Sequence, residues 1–388
     1  MSRLKPIYSL AVFACLTQGI FTGGRFLVAL YAANQQASTL VIGVLIALFS
    51  LAPAFGSVPA GRIVDRIGTR WPMLACMTLL TLGMGLPLVF PGVASLFVTA
   101  PLVGGVYFAL YVCTNTLANS LSSKSERAAN FARLSVGVSA GQALGPLCAG
   151  LLIDHHSHAA AFVLMALLPL ASHVWFVLLG LQHIGPQPDK ETHQKRGALD
   201  LLRFRELRPV LILSTMFILA ADVFVVMVPI YGIQLRLSAS EMGMIASAFS
   251  VASFSVRAVS ARLVDYFTPW QLMIMALILA GTGIILTGTV ATLPLLMLFA
   301  FASGLGQGLG APMSTSVLYE VAPPEHASEA MGLRLSLGMA TQVVLPVLIG
   351  SIGAFLTAEP VFFVCGLMLI AAAGTQHRQW RRKVLKQT

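Results

Sequence analysis

Two ionisable residues lie inside long apolar runs, where a charge is costly. Arg25 belongs to the first such run of the chain, and Asp222 lies near the middle of a later one. Burial strengthens the hold of a carboxyl group on its proton, whereas a nearby cation weakens it. Asp222 is therefore a candidate proton carrier, and its alternative role is a fixed pair with Arg25 or a backbone group. Arg25 is also a candidate for binding an anionic substrate.

The composition around these charges sets the class of protein. Hydrophobic residues make up 57% of the 388 residues, charged residues make up 10%, and the mean hydropathy is +0.85. Soluble domains carry about a quarter charged residues, so this chain cannot cover a water-facing surface. The net charge of +10 comes from basic residues placed between apolar runs. That placement indicates that the basic residues set the membrane topology of the chain rather than bind nucleic acid.

The apolar runs are each long enough to cross a bilayer as a helix. Helices are required because lipid cannot satisfy backbone hydrogen bonds. The sequence therefore predicts an all-α polytopic membrane protein with twelve transmembrane helices. The predicted spans are 7–31, 39–62, 71–90, 95–121, 130–153, 159–182, 209–233, 241–262, 270–290, 293–319, 328–355 and 359–376.

The chain repeats itself at a distance of about 200 residues. Gly61–Asp65 (GRIVD) returns as Ala261–Asp265 (ARLVD), and Arg133–Gly137 (RLSVG) returns as Arg334–Gly338 (RLSLG). In a membrane protein, such a repeat indicates two homologous bundles with a site between them, which is the architecture of a carrier. We predict two pseudo-symmetric six-helix bundles, residues 1–184 and 208–388, joined by a cytoplasmic linker over 185–207.

Lysine and arginine predict the orientation. With twelve spans, every basic cluster falls on one side, and only Arg25 and Arg236 lie elsewhere. Basic loops stay in the cytoplasm, so both termini are expected there, with the protein in the inner membrane.

The segment between the second and third spans carries a specific resemblance. Its residues Gly61, Asp65, Arg66, Gly68 and Arg70 match the cytoplasmic signature loop of the major facilitator superfamily. The resemblance implies a secondary transporter that moves a small-molecule substrate across the bilayer.

Asp65 could close the cytoplasmic side by pairing with basic helix starts, at Arg133 or Arg334, or with helix ends. The alternative is a basic turn that only sets topology. For the two arginines themselves, snorkelling towards water is the simplest role.

The resemblance also implies which side chains line the transport cavity, because spans 1, 4, 7 and 10 do so in that superfamily. Polar residues at helical spacing on these spans form stripes. The expected cavity residues are Gln18, Thr22, Arg25, Tyr107, Tyr111, Asn115, Asp222, Ser303, Gln307 and Ser314.

A run on the fifth span bears on the direction of transport. Gly141, Gly145 and Pro146 resemble a signature found on the fifth helix of exporters in the superfamily, which favours efflux. The alternative is a face of small residues for close helix packing.

Other classes of function lack support in the sequence. The chain has no Gly-Lys-Ser/Thr phosphate loop and no compact catalytic constellation, so an ATP-driven pump or an enzyme is not expected. The cluster from Asp154 to His158 is expected to be a solvated loop rather than a metal site.

We therefore expect a monomeric, proton-coupled exporter without metal or cofactor. Uptake by proton symport is the first alternative, and a membrane sensor or enzyme without transport is the second.

Overall fold

The computed structural model describes residues 6–51, 53, 68–122, 127–178, 207–322, 327–353 and 357–387. These residues form helices joined by short turns, and no strand occurs among them. The helices are α1 Pro6–Asn34, α2 Thr39–Leu51, α3 Arg70–Val89, α4 Val93–Ser120, α5 Arg127–His155, α6 His158–Leu178, α7 Leu207–Gln234, α8 Ala239–Leu263, α9 Pro269–Thr287, α10 Leu293–Val321, α11 Ala327–Gly353 and α12 Glu359–Gln387.

The twelve helices confirm the predicted fold class. Ten of them are long and apolar enough to span a membrane, and α2 and the apolar part of α12, Glu359–Thr375, are shorter. The predicted span 359–376 agrees with this apolar part, and α12 then continues past it to Gln387. Leaving the apolar segment does not end a helix, and residues 377–387 contain no glycine or proline to do so. The predicted linker over 185–207 lies outside the described residues except for its last residue.

The chain clusters into two compact units. Unit 1 contains Met1–Thr192 together with Arg236–Ser247, which is the turn before α8 and its first part. Unit 2 contains His193–Leu235 and Ala248–Thr388.

The same contacts recur in both units 200 residues apart. In unit 1 the ring of Tyr31 meets Phe162 edge-on at 5.3 Å, and in unit 2 Tyr231 meets Phe362 edge-on at the same centroid distance. The turn after α1 contains Gln36 at φ 58°, and the turn after α7 contains Arg236 at φ 57°. The first and last helices of each half therefore make equivalent ring contacts, and the first helix of each half is followed by an equivalent turn.

Two glycines at this spacing mark close helix packing in each unit. If Gly104 of α4 carried a Cβ atom, that atom would lie 1.9 Å from the carbonyl oxygen of Phe49. A Cβ atom added to Gly304 of α10 would lie 2.2 Å from the carbonyl oxygen of Phe249. Backbone cannot yield as a side chain can, so only glycine fits at either position. The duplication expected from short sequence echoes thus extends to specific contacts.

Candidate functional site

A polar link joins α1 and α4 in unit 1. The hydroxyl of Tyr107 donates a hydrogen bond to Oε1 of Gln18, which is buried. The ring of Phe21 stacks on Tyr107 with centroids 4.2 Å apart. Thr22, one turn along α1 from Gln18, donates to the Gln18 carbonyl at 2.9 Å. Three of the predicted cavity residues therefore do lie together.

The same helices enclose a small cavity, here called the tyrosine pocket. Its polar lining comes from Thr17 of α1 and from four residues of α4, Tyr107, Tyr111, Thr114 and Asn115. Ala14, Leu134 and Val138 complete it from α1 and α5. The cavity volume is about 10 Å³, which is room for one water-sized group.

Sequence reasoning named three of these polar residues and missed Thr17 and Thr114. Helical spacing along α4 could have identified Thr114. Thr114 lies three residues after Tyr111 and so extends the stripe that Tyr107 and Tyr111 begin. Thr17 is next to Gln18, on the part of α1 that reaches α5 as well as α4.

The two candidate charges are both buried. Arg25 of α1 is 6% exposed and Asp222 of α7 is 4% exposed. Each lies within a helix long and apolar enough to span the membrane. An ionisable group at such a place is by default a functional candidate.

The predicted stripe on α10 separates into different environments within unit 2. Ser303 donates to the Phe299 carbonyl at 2.9 Å, and a Cβ on Gly283 of α9 would lie 2.4 Å from its hydroxyl oxygen. Ser314 instead meets α11, where it accepts a hydrogen bond from Arg334 at 3.2 Å. Gln307 is half-buried between them along the helix. Within unit 2, Ser303 therefore contacts α9 and Ser314 contacts α11.

The repeated arginines have different surroundings. Arg334 is 9% exposed and also donates to the Ala311 carbonyl at 3.4 Å, so the snorkelling interpretation is wrong for it. Its guanidinium finds acceptors inside unit 2 and does not need water. Arg133 is half-buried, donates to Oδ1 of Asn130 at 2.7 Å and lies 5.3 Å from the centre of the Tyr8 ring.

The candidate cytoplasmic gate is only partly described. Gly61, Asp65 and Arg66 lie outside the described residues, so their gating role stays a prediction. Gly68 has φ +76°, the left-handed conformation that glycine adopts most easily, so this turn does use its glycine. The Arg70 guanidinium lies 5.2 Å from the centre of the Trp71 ring at the start of α3.

The glycines of α5 form a close contact with α1. A Cβ on Gly141 would lie 2.3 Å from the Cys15 carbonyl oxygen, and one on Gly145 would lie 2.5 Å from that of Gly19. The packing interpretation is thus sufficient to explain why both residues are glycine. Pro146, which follows, approaches the first part of α8, where a Cβ on Gly243 would lie 2.7 Å from the Pro146 carbonyl oxygen.

The end of α5 carries a contact that the sequence did not reveal. Asp154 is exposed, as expected for this cluster, but it belongs to the last turn of α5, and the loop proper is only His156 and Ser157. Its two carboxylate oxygens accept hydrogen bonds from the backbone N–H groups of Ala239 at 3.0 Å and Ser240 at 2.7 Å. These groups open α8 within unit 1, and a carboxylate there is stabilised by the unpaired amides and the helix dipole.

Metal binding finds no support in the part of the chain that is described. There, no group of three or more His, Cys, Asp or Glu residues could hold a metal ion. The five cysteines are free thiols within helices.

Comparison with known proteins agrees with this architecture. The model of the Major Facilitator Superfamily matches residues 9–265 and, in a second match, residues 210–375. The uncharacterized MFS-type transporter YuxJ of Bacillus subtilis (strain 168) is 25% identical over 337 residues, which are 81% of each chain.

Solved transporters share the fold at low sequence identity. A mutant of the nucleoside transporter NupG has a TM-score of 0.83 at 11% identity, over 96% of this chain and 99% of that one. A POT family transporter in complex with 5-aminolevulinic acid has a TM-score of 0.79 at 16% identity, over 95% and 94% of the two chains.

Proposed function

Because the chain belongs to the major facilitator superfamily, we propose that it exports a small organic solute by alternating access in exchange for protons. Family and fold place it among multi-pass membrane transporters rather than enzymes. The duplicated halves supply both bundles of a carrier from one chain, so a monomer suffices for the cycle.

The observation that carries the proton coupling is Asp222. This carboxyl is 4% exposed on a helix whose most apolar stretch has a mean hydropathy of 2.5. In general, burial in an apolar setting favours the neutral form of a carboxyl group, and access to water or to a cation favours the carboxylate. A group moved between these settings during the cycle takes up a proton on one side and releases it on the other.

Asp222→Asn should therefore uncouple transport without abolishing exchange. In proteoliposomes with an imposed pH gradient, we expect gradient-driven accumulation to fall at least about tenfold, as for loss of an essential proton donor. Solute counterflow, which needs no net proton movement, should persist. The matched control is Glu359→Gln, which neutralises an exposed carboxylate in the same unit. Gradient-driven accumulation equal to wild type in Asp222→Asn would exclude this residue as the required carrier.

Export is supported by the resemblance of Gly141, Gly145 and Pro146 to the fifth-helix signature of exporters. The close packing of the two glycines against α1 gives an independent reason for their presence. Direction therefore needs a direct measurement. With inverted membrane vesicles, export predicts solute accumulation when the interior is acidified, whereas proton symport predicts accumulation in right-side-out vesicles.

The basic clusters support an inner-membrane protein with both termini in the cytoplasm. A C-terminal fusion to green fluorescent protein should fluoresce, and the same fusion to alkaline phosphatase should be inactive. The opposite pair of results would reverse the orientation.

A further inference from the structure

Three of the four hydroxyl groups of the tyrosine pocket have already used their hydrogens. Thr17 donates to the Phe13 carbonyl at 3.0 Å, and Thr114 donates to the Leu110 carbonyl at 2.8 Å. Tyr107 donates to Gln18. A hydroxyl has one hydrogen and two lone pairs, so these three groups can offer a ligand only acceptors.

Asn115 adds a further acceptor. Its Nδ2 donates to the Tyr111 carbonyl at 2.8 Å, which leaves the side-chain oxygen to accept. The pocket therefore contains four acceptor groups from two neighbouring helices. The lining also carries two donors, the second N–H of Asn115 and the hydroxyl of Tyr111, so a ligand must supply the hydrogens for the remaining groups.

The charge and the rings of the pocket favour a cation among the possible donors. No Asp, Glu, Lys or Arg is among its lining residues. The rings of Tyr107 and Tyr111 lie 6.3 Å apart, and their faces attract a positive charge. Arg133, which precedes a lining leucine, directs its guanidinium to Asn130 and Tyr8.

Size and access agree with a small head group. The volume of about 10 Å³ admits one water-sized group, which is the size of an ammonium group. Tyr111 is 43% exposed, so a bound cation could keep part of its water shell.

We propose that the tyrosine pocket binds the protonated amino group of the substrate, so that the transported solutes are small organic amines. This proposal rests on the proposed transport function, because it names the solute. Three ammonium hydrogens match the four acceptor groups on α1 and α4, which outnumber the two donors that a carboxylate could use.

Binding to purified protein in nanodiscs tests the proposal without any gradient. The probes are two matched series, phenethylamine, phenethyl alcohol and hydrocinnamate, and butylamine, butanol and valerate. We expect the amine of at least one series to bind about tenfold more tightly than its alcohol, the gain from hydrogen bonds to a charged donor. Its carboxylate should bind more weakly still. An alcohol or carboxylate that equals or exceeds its amine in both series overturns the proposal, and so does an absence of binding throughout.

A variant pair assigns the preference to the pocket. Thr114→Val should weaken amine binding about tenfold by removing one acceptor. The control is Thr116→Val, because Thr116 makes the same kind of bond, to the Val112 carbonyl at 3.0 Å, outside the pocket. Equal losses in the two variants would overturn the assignment. Asn115→Asp should strengthen amine binding, and weaker amine binding in that variant would contradict a cationic ligand.

Amine-selective binding without proton-driven flux would reject proton coupling but leave the amine-binding role of the tyrosine pocket standing. Proton-driven flux of a carboxylate that binds elsewhere would support proton coupling and reject the amine-binding role. The two proposals therefore fail in distinguishable ways.

Discussion

The fifth helix and its counterpart in the second half show how far the two copies have diverged. In unit 1, a Cβ on Gly137 of α5 would lie 2.0 Å from the Ala11 carbonyl oxygen of α1. In unit 2, a Cβ on the equivalent Gly338 of α11 would meet only the tip of the Ile218 side chain, at 2.5 Å. The first contact is between backbones and the second is between a backbone and a flexible side chain.

The positions that follow extend this difference. Gly141 and Gly145 of α5 correspond to Gln342 and Pro346 of α11 at the spacing set by the repeated arginines. Close approach of backbones at these positions is thus found for α1 with α5 and is not shared by α7 and α11. The α5 run is specific to the first half, whatever its part in the direction of transport.

The repeated arginines also differ between the two halves, in how deeply their charge is buried. Arg133 and Arg334 begin identical Arg-Leu-Ser triplets, yet only Arg334 is fully enclosed by its own unit. Its partner Ser314 lies on α10, so the difference comes from a neighbouring helix and not from the repeat itself.

The largest effect is expected from the glycine pair. Gly137→Ala should destabilise the protein by about 3 kcal/mol, because two helix backbones must separate. Gly338→Ala should cost less than about 1 kcal/mol, because Ile218 can change rotamer and alanine favours the helix. Thermal unfolding in one detergent, with the yield of monodisperse protein, measures both. Equal losses would show that the two contacts are equally rigid.

A smaller effect is expected from the arginine pair. Arg334→Ala should cost about 2 kcal/mol, because it removes charge-assisted hydrogen bonds to Ser314 and Ala311 in a buried place. Arg133→Ala should cost at most about 1 kcal/mol, the value of an accessible cation–ring contact. Unfolding midpoints of the two variants give the comparison. A larger loss for Arg133 would mean that its contacts with Tyr8 and Asn130 are the stronger ones.

The smallest effect is expected from the tyrosine pair. The Tyr31 hydroxyl accepts from the Gly92 N–H at 3.2 Å, and the Tyr231 hydroxyl donates to the Val290 carbonyl at 3.0 Å. Tyr31→Phe and Tyr231→Phe each remove one hydrogen bond and keep the ring contact, so each should cost about 1 kcal/mol. The two melting shifts should agree with each other. A strong shift in one variant alone would show that only one copy of this contact stabilises the fold.

Much of the fold could be predicted from the sequence because membrane spans are encoded locally. A run of apolar residues must become a helix in lipid, whatever its neighbours are. The starts of the twelve helices therefore agree closely with the predicted spans. Hydropathy reports where the apolar segment ends and not where a helix stops, so α12 extends beyond its predicted span to Gln387.

The candidate site was predictable only in part, because a pocket depends on which helices meet. Tyr107, Tyr111 and Asn115 could be named from helical spacing on α4 alone. Thr17 belongs to the pocket only because α1 packs against α4, and Asp154 binds the start of α8 only because the two helix ends coincide.

The sequence by itself determined the membrane class, the helix spans, the duplication and the presence of Arg25 and Asp222 in apolar helices. These follow from composition and periodicity, which act over one helix length. Only the tertiary structure decided that Arg334 is buried, that Ser303 and Ser314 contact different helices, and that Tyr107 of α4 donates to Gln18 of α1. Each of these depends on a hydrogen-bond partner or a packing neighbour, whose place no spacing along one helix can specify.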